Sequence, residues 1–349
     1  RKDKLNLFFL LLLFIVSGII EVLGIASVAP FIALLTKPEY LINNAFYLSI
    51  TSTYQLTNLD ATVLMGSLVI ILFATSNIVT AYTLWKTVSF TALQQHKISM
   101  VLMTKYLYQP YEFYTKNSSS YISKNILHET GVVCDLVILP SLQFISKCAV
   151  VLSVSIFLLY INYQIFIGTI LILAIIYILI YSKVKETLLS YGENKVLMNK
   201  DKYKYVNDAF IDIKNIKFYS AEQSYLNLFS NPTKQFAELT AKSTLLSVLP
   251  RYILEVIAFG GIFTVLVYFL SQDYNLIAQS PVIGVFIIAA YRALPLLQQI
   301  YQNFAVYKFN SPVVEIIKKI YSLQNSRWNS ILSMILRAGV GTPQYESES

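Results

Sequence analysis

Long apolar runs alternate with long polar stretches along this chain. A membrane-spanning helix needs about 20 mostly apolar residues, and six segments meet that requirement. They cover residues 5–35, 61–85, 141–160, 164–182, 252–270 and 280–301. Because backbone groups in lipid must form hydrogen bonds within their own segment, each one is predicted to be an α-helix. The pattern therefore predicts an all-α membrane protein with six transmembrane helices.

The two longest connections, residues 86–140 and 183–251, are polar but keep the composition of helices. They are rich in Lys, Glu, Leu, Ile and Tyr, most of which tolerate or favour helices. Helix breakers are concentrated in residues 109–120 of the first connection, and the second has only Gly192 and one interior proline, Pro232. We expect the second to fifth helices to extend past the bilayer as two antiparallel pairs, each capped by a short connector.

Composition and charge place these extensions in the cytoplasm. The chain is 56% hydrophobic and 13% charged, whereas soluble domains contain about 25% charged residues. Its net charge is +8, and most lysines lie in the two long connections, while the other side has Lys37 beside Glu39, Asp60 and Asp273. The positive-inside rule therefore makes both termini cytoplasmic. We expect a multi-pass protein of a bacterial inner membrane, with membrane lipid rather than nucleic acid as a partner.

The sequence offers little for metal or redox chemistry. Cys134 and Cys148 are the only cysteines, too few for a disulfide framework or a zinc site. His96 and His128 lie far apart without metal-ligand spacing, and we place both in loops. The spans also lack paired carboxylates and a nucleophile beside a base, so a membrane-embedded enzyme is the least favoured class.

Three stretches resemble the transmembrane domain of an ABC exporter half-transporter. FYTKNSSSYISKNILHE (113–129) is similar to the first cytoplasmic loop of that family, and FIDIKNIKFYSAEQSYLNLF (210–229) is similar to the second. EVLGIASVAPFIALLTKPEYLINN (21–44) is similar to the branch of lipid-linked oligosaccharide flippases, in which a short external helix follows the first span. The likeness assigns residues 1–322 to this domain and leaves 323–349 as an atypical tail. Within the second loop, the positions that match the family are Ile213, Ile216, Lys217, Phe218, Glu222 and Phe229.

The resemblance implies a function in transport. Two such chains, identical or different, would form an alternating-access cavity that exports or flips an amphipathic substrate such as a lipid-linked saccharide. The connectors would dock on nucleotide-binding domains, which carry ATP and Mg²⁺, and would relay their closure. An alternative is that the connector aromatics only pack between neighbouring helices. The connector residues named by the resemblance are Phe113, Tyr114, Asn117, Phe218, Tyr219 and Glu222.

The sequence departs from this family after the sixth predicted span. A nucleotide-binding domain needs the phosphate loop GxxxxGK[ST], and GVGTPQ (339–344) has two glycines but no lysine. A frameshift, a truncated gene and a stand-alone permease would each explain the tail. The chain has no ATP site of its own, so the ATPase would be a missing or separate domain. The competing hypothesis is a non-transporting remnant or a membrane scaffold that only dimerises.

A small and polar stripe follows the first predicted helix. Ser17, Glu21, Gly24 and Ser27 share one side of it, and small residues allow helices to approach closely. A carboxylate that faces lipid costs about 2.5–3.5 kcal/mol or more, so Glu21 faces protein or a water-filled cavity. Either Glu21 lines a translocation path, or a neutral, hydrogen-bonded Glu21 holds helices together. Pro30 is predicted to kink the outer end of this helix.

The sixth predicted helix carries a second polar stripe, made of Arg292, Pro295, Gln299 and Gln302. An Arg within an apolar span needs a partner, and its guanidinium suits carboxylates and phosphates. Arg292 therefore either binds the charged head of an amphipathic substrate or forms a salt bridge. Counting 1.5 Å per residue from the inner boundary puts Arg292 at about 13 Å, Glu255 at about 5 Å and Glu21 at about 24 Å. This count favours Glu255 as the partner.

Overall fold

The computed structural model describes residues 2–28, 30–32, 58–161, 163–271 and 276–315, which are almost entirely helical. No strand occurs in these ranges, so the predicted all-α class is confirmed. The α-helices are α1 (Lys2–Ala26), α2 (Asn58–Leu107), α3 (Tyr111–Lys116), α4 (Ser119–Ser123), α5 (Thr130–Val133), α6 (Leu139–Ile161), α7 (Tyr163–Ile211), α8 (Ile213–Phe218), α9 (Glu222–Ser271) and α10 (Leu276–Asn310).

Within the described residues, three stretches are long and apolar enough to cross a membrane, namely Lys4–Ile32, Val63–Leu107 and Tyr121–Ile161. They overlap the predicted spans at 5–35, 61–85 and 141–160, and the second and third extend well beyond them into the polar connections. The other three spans, and with them the six-span topology, stay predictions. The predicted external helix after the first span and the tail at 323–349 lie outside the described residues.

Three helices are much longer than a bilayer crossing requires. α2 and α9 have 50 residues each and α7 has 49, which corresponds to about 75 Å at 1.5 Å per residue. The hydrocarbon core of a bilayer is only about 30 Å thick. Uninterrupted helix therefore continues through much of the polar connections, as their composition predicts.

The prediction that His96 and His128 lie in loops is wrong. His96 lies within α2, and His128 lies in a π-helical turn at Lys124–Glu129. Both residues stand in runs of good helix formers, and missing metal-ligand spacing carries no information about backbone conformation.

Prolines mark two irregular points in the helices. α1 ends at Ala26, four residues before Pro30, because a proline cannot donate to the carbonyl four residues back and its ring clashes with it. A π-helical turn at Cys134–Ile138 precedes Pro140 in the same way. The missing proline N–H leaves the usual hydrogen bond to Leu136 unmade, and a wider turn accommodates the gap.

Contacts divide the chain into two units. The first comprises Arg1–Lys86, Ile145–Leu179 and Pro250–Ile300. Its core is an apolar cluster contributed by α1, α6 and α10, and the cluster consists of Ile25, Val150, Val154, Val285 and Ala289. The C-terminal half of α1 is thereby fixed against two other helices.

The second unit comprises Thr87–Phe144, Ile180–Leu249 and Tyr301–Ser349. Within it, α7 and α9 form an antiparallel pair, in which the Lys202 ammonium lies 3.9 Å from the ring centre of Phe236. The last turns of α10 pack on α7, where Lys195 Nζ donates to Asn310 Oδ1 at 2.9 Å. Gly192 allows this contact.

The connector between α7 and α9 is the six-residue helix α8. It ends in a tight turn, in which the Ala221 N–H donates to the Ile216 carbonyl at 2.9 Å and Ser220 adopts φ 49°. This is the hydrogen-bond pattern of a Schellman motif. Ile216 is buried, so one side of α8 is anchored while the next residues turn back into α9.

Gly192→Ala is expected to destabilise the second unit. A Cβ at position 192 would lie 2.1 Å from the carbonyl oxygen of Phe309 and 3.0 Å from its carbonyl carbon. Backbone atoms cannot rotate away, so α10 must shift, at a cost of about 1–3 kcal/mol. Thermal unfolding in detergent measures the effect. Gly131→Ala is the matched control, because its Cβ would meet only the side-chain nitrogen of Gln95, at 3.4 Å; equal losses in both variants would contradict the packing.

Candidate functional site

The side chains of α1 divide into a buried and an exposed face. The buried stripe recurs every three or four residues, and it consists of Leu7, Leu10, Phe14, Ser17, Glu21 and Ile25. The large apolar side chains of the opposite face, such as Phe8, Leu12 and Ile19, are exposed in the isolated chain. Because such residues are suited to lipid, this division places the polar stripe of α1 towards the other helices.

Glu21 is the centre of the polar cluster in the first unit. Arg292 Nη1 donates to Glu21 Oε1, and the hydroxyl of Ser76 donates to Glu21 Oε2. The side chains of Arg292 and Glu21 are 16% and 9% exposed. Both carboxylate oxygens are therefore occupied, and the cluster joins α1 to α2 and α10.

The guanidinium of Arg292 also rests on an aromatic ring. Its Cζ lies 4.5 Å from the ring centre of Phe73 on α2, within the range of a cation–π interaction. The guanidinium is therefore held between the carboxylate of Glu21 and the ring of Phe73.

The preference for Glu255 as the partner of Arg292 is wrong. Arg292 binds Glu21, whereas Glu255 accepts a hydrogen bond from Arg251 Nε at 2.9 Å. The depth of Glu21 is overestimated because it is counted from Leu5, the first residue of the apolar run. The apolar run at 5–35 is about 46 Å long, far more than the hydrocarbon thickness, so its first residue does not mark the inner boundary.

Counting from the other helices gives a consistent depth. Ser76 and Arg292 each lie nine residues from the end of their predicted spans, which corresponds to about 13 Å for both. Glu21 binds both residues and so shares this depth in the predicted topology. That topology would put the inner boundary on α1 about seven residues after Leu5.

The other members of the α1 stripe make close helix contacts. Ser17 is buried, and a Cβ on Gly24 would lie 3.9 Å from the Leu72 carbonyl oxygen of α2. The tightest approach is at Gly18, where a Cβ would lie 2.6 Å from the Ser153 hydroxyl of α6. The sequence pattern singled out Ser17 and Gly24 but missed Gly18, which neighbours the stripe.

The predicted stripe on α10 is only partly brought to the cluster. Arg292 joins it, whereas the side chains of Pro295, Gln299 and Gln302 are exposed. Several other positions of α10 are buried instead, among them Val285, Ala289 and Ile300. Gln299 therefore has no contact with Glu21 in this chain.

Ser76 and Phe73 are cluster residues that the sequence analysis missed. Ser76 is detectable, because it begins a buried polar series on α2 with helical spacing, continued by Thr83, Thr87 and Gln94. Phe73 carries no such signal, since one more aromatic residue in an apolar span is unremarkable.

The first connector is tied to its own helices. Phe113 stacks on Tyr106 with ring centres 5.8 Å apart, and the hydroxyl of Tyr114 donates to the Tyr106 carbonyl. Asn117 ends α3, where its side-chain amide donates to the Phe113 carbonyl at 2.9 Å. These three predicted connector residues therefore contact their own turn, and their role in coupling stays a prediction.

The aromatic side chains of the second connector are exposed to solvent. Phe218 and Tyr219 are 79% and 73% exposed, and their rings contact each other edge to face at 5.0 Å. Glu222 accepts a hydrogen bond from Lys217 Nζ at 2.9 Å, and this bond lowers the pKa of the Glu222 carboxyl. The Lys217–Glu222 pair therefore joins the two ends of the turn that carries the exposed aromatic residues.

The comparison with known families adds no identity, because no family model matches the chain. In the described part of the chain, no three His, Cys, Asp or Glu side chains are grouped to hold a metal ion. Cys134 and Cys148 are free thiols. The Glu21–Arg292 cluster and the exposed aromatics of the second connector are the two features that call for a functional explanation.

Replacing either member of the Glu21–Arg292 pair is expected to be more damaging than replacing both. Glu21→Gln or Arg292→Gln leaves a buried charge without its partner, which costs about 3–5 kcal/mol. The double variant removes both charges and should cost less than either single variant, so a double-mutant cycle should give a coupling energy of about 3 kcal/mol or more, at the upper end of the usual range. Thermal unfolding in detergent is the measurement.

Arg251→Gln is the control for this cycle, because Arg251 forms an exposed i,i+4 pair with Glu255. Its effect should be much smaller, since exposed ion pairs contribute little. Strictly additive single effects at Glu21 and Arg292 would contradict a direct pair.

Proposed function

We propose that this chain is the membrane-spanning subunit of an ATP-driven transporter that exports or flips an amphipathic substrate with an anionic head group. The observation that carries the proposal is the length of α2, α7 and α9 together with the six-residue helices that follow α2 and α7. Each long helix has an apolar part that fits a bilayer and a polar part that projects beyond it. A rigid helix of this kind carries a displacement at its tip into the membrane.

The proposal includes the six-span topology with both ends and both connectors in the cytoplasm. The division of the chain supports it, since the two units change over after residues 86, 144, 179, 249 and 300. The corresponding predicted span ends are 85, 141, 182, 252 and 301. The boundaries between the two units therefore follow the predicted span ends closely. This agreement supports a membrane part and a cytoplasmic part that are built from the same helices.

The Glu21 cluster supports an anionic substrate. The cationic group of this cluster is the Arg292 guanidinium, which contacts both Glu21 and the ring of Phe73. A phosphate or carboxylate head group would compete with Glu21 for the guanidinium fork of Arg292. Because Glu21 bridges α1, α2 and α10, exchange of its partner would loosen the packing of these helices. Substrate binding and helix rearrangement would then be linked at one point.

Energy input belongs to a different domain in this proposal. The sequence has no phosphate loop, so ATP and Mg²⁺ would bind to nucleotide-binding domains outside it. The exposed aromatics of the second connector are the surface on which such a domain would dock, since clustered exposed apolar side chains indicate an interaction site. Two half-transporters, identical or different, would surround the substrate path.

The proposal is tested by purifying the solubilised protein from its native cells. We expect a protein with a phosphate loop to be identified by mass spectrometry and the complex to hydrolyse ATP. Substrate-dependent turnover would then be assayed with anionic and zwitterionic lipids. A membrane-integral chain that purifies without such a protein and without ATP turnover would instead be a scaffold or remnant, and the transport proposal would fail.

Phe218→Ala is expected to weaken the association with a nucleotide-binding domain by about tenfold or more, because exposed aromatic anchors commonly dominate an interface. Co-purification yield and ATP turnover are the readouts. Tyr160→Ala is the matched control, since Tyr160 is 89% exposed but lies at the predicted external end of α6. Unchanged binding after Phe218→Ala would remove this residue from the interface.

A further inference from the structure

An aromatic pair and two lysines stand where α7 and α10 leave the predicted spans. Tyr181 on α7 and Phe304 on α10 are in ring contact, with centroids 4.9 Å apart. Four residues further along each helix stand Lys185 and Lys308. Residues four apart lie on nearly the same face of a helix. Both lysines therefore follow the aromatic pair, one from each helix.

The two helices run in the same direction at this point. Tyr181 contacts Phe304, and the later residue Lys195 contacts the later residue Asn310. The aromatic pair thus lies towards the predicted membrane, and the lysine pair lies one turn further into the cytoplasm. An apolar platform followed by two cations matches a lipid, whose glycerol region and acyl chains adjoin a charged head.

The two ammonium groups act on each other. The pKa of Lys308 is lowered, first by partial burial and then by the positive charge of Lys185. The described residues provide no ion pair for Lys308, and Lys185 has only the sequence neighbour Glu186, with 4.0 Å between Nζ and Oε1. The Glu186 side chain is 85% exposed. Because Lys185 and Lys308 have no closely held carboxylate partner among the described residues, the two neighbouring cations can bind an anion.

The depth of the pair fits the head-group layer. Lys185 and Lys308 lie three and seven residues beyond the predicted span ends, which corresponds to about 5 and 10 Å. Head groups occupy about 5–7 Å on each side of the hydrocarbon core, and lysine side chains are long enough to reach back to that layer.

We propose that Lys185 and Lys308, together with the Tyr181–Phe304 pair, form a binding site for the phosphate head of an anionic lipid of the cytoplasmic leaflet. The site rests on the membrane topology of the proposed function but not on transport. It lies on helix segments of the second unit and is separate from the Glu21 cluster. A bound lipid would hold α7 and α10 together at the cytoplasmic exit of the membrane.

The test is lipid retention by the purified protein, measured by native mass spectrometry after mixing with phosphatidylglycerol and phosphatidylcholine. The unchanged protein should retain phosphatidylglycerol preferentially. Lys185→Gln combined with Lys308→Gln should lower this retention by about tenfold or more, because each basic residue near an anionic head contributes substantially to binding. Replacing both lysines by arginine should preserve retention.

The matched control replaces Lys200 and Lys234 by Gln. Both are exposed lysines of the second unit, and the control removes the same number of charges far from the aromatic pair. An equal loss of retention in the control and the test variant would overturn the site in favour of diffuse attraction. Equal retention in test variant and unchanged protein would overturn it as well.

Two further experiments distinguish lipid phosphate from free phosphate and test the membrane topology on which the site rests. Inorganic phosphate should not raise the unfolding temperature of the lipid-free protein; a rise that depends on Lys185 and Lys308, without lipid retention, would show a free-phosphate site and overturn the lipid assignment. Carbonate extraction establishes whether the chain is membrane-integral. Release by carbonate would refute the topology itself, whereas resistance without lipid retention would refute only the lipid site.

Discussion

The packing of the first unit depends on how two opposite charges are accommodated among apolar helices. Neither Glu21 nor Arg292 tolerates an apolar environment alone, so each needs a partner. The pair they form joins α1 to α10, and Ser76 adds α2 through the second carboxylate oxygen. Apolar side chains alone give little direction to helix association in lipid. The ion pair and its hydroxyl ligand supply the directional contact that sets the rotation of α1.

Small residues then bring the backbones together around this contact. Gly18 lies against Ser153 of α6, Gly24 faces the backbone of α2, and Ile25 joins the apolar cluster next to Glu21. One short stretch of α1 thus serves three partners. A change of partner at Arg292 would alter the packing of this whole stretch. The cluster is therefore a suitable place for a ligand to act on helix packing.

The two connectors of the second unit differ in how their aromatic side chains are packed. The aromatic side chains of the first connector are held by Tyr106, whereas Phe218 and Tyr219 of the second are exposed beyond a closed turn. Gly192 and the Lys195–Asn310 contact bind α10 to α7 behind this tip.

The sequence by itself determined the helical class, the apolar stretches, the continuation of helices beyond them and the break before Pro30. These features depend on local composition, on hydrogen bonding within a segment and on the geometry of proline. Only the tertiary structure decided that Arg292 meets Glu21 rather than Glu255, that Ser76 and Phe73 complete the cluster, and that Phe218 is exposed while Phe113 is packed. Such pairings depend on how far each helix is shifted and rotated relative to its neighbours. An apolar run longer than a bilayer leaves that shift undetermined, because many positions along it satisfy the lipid equally well.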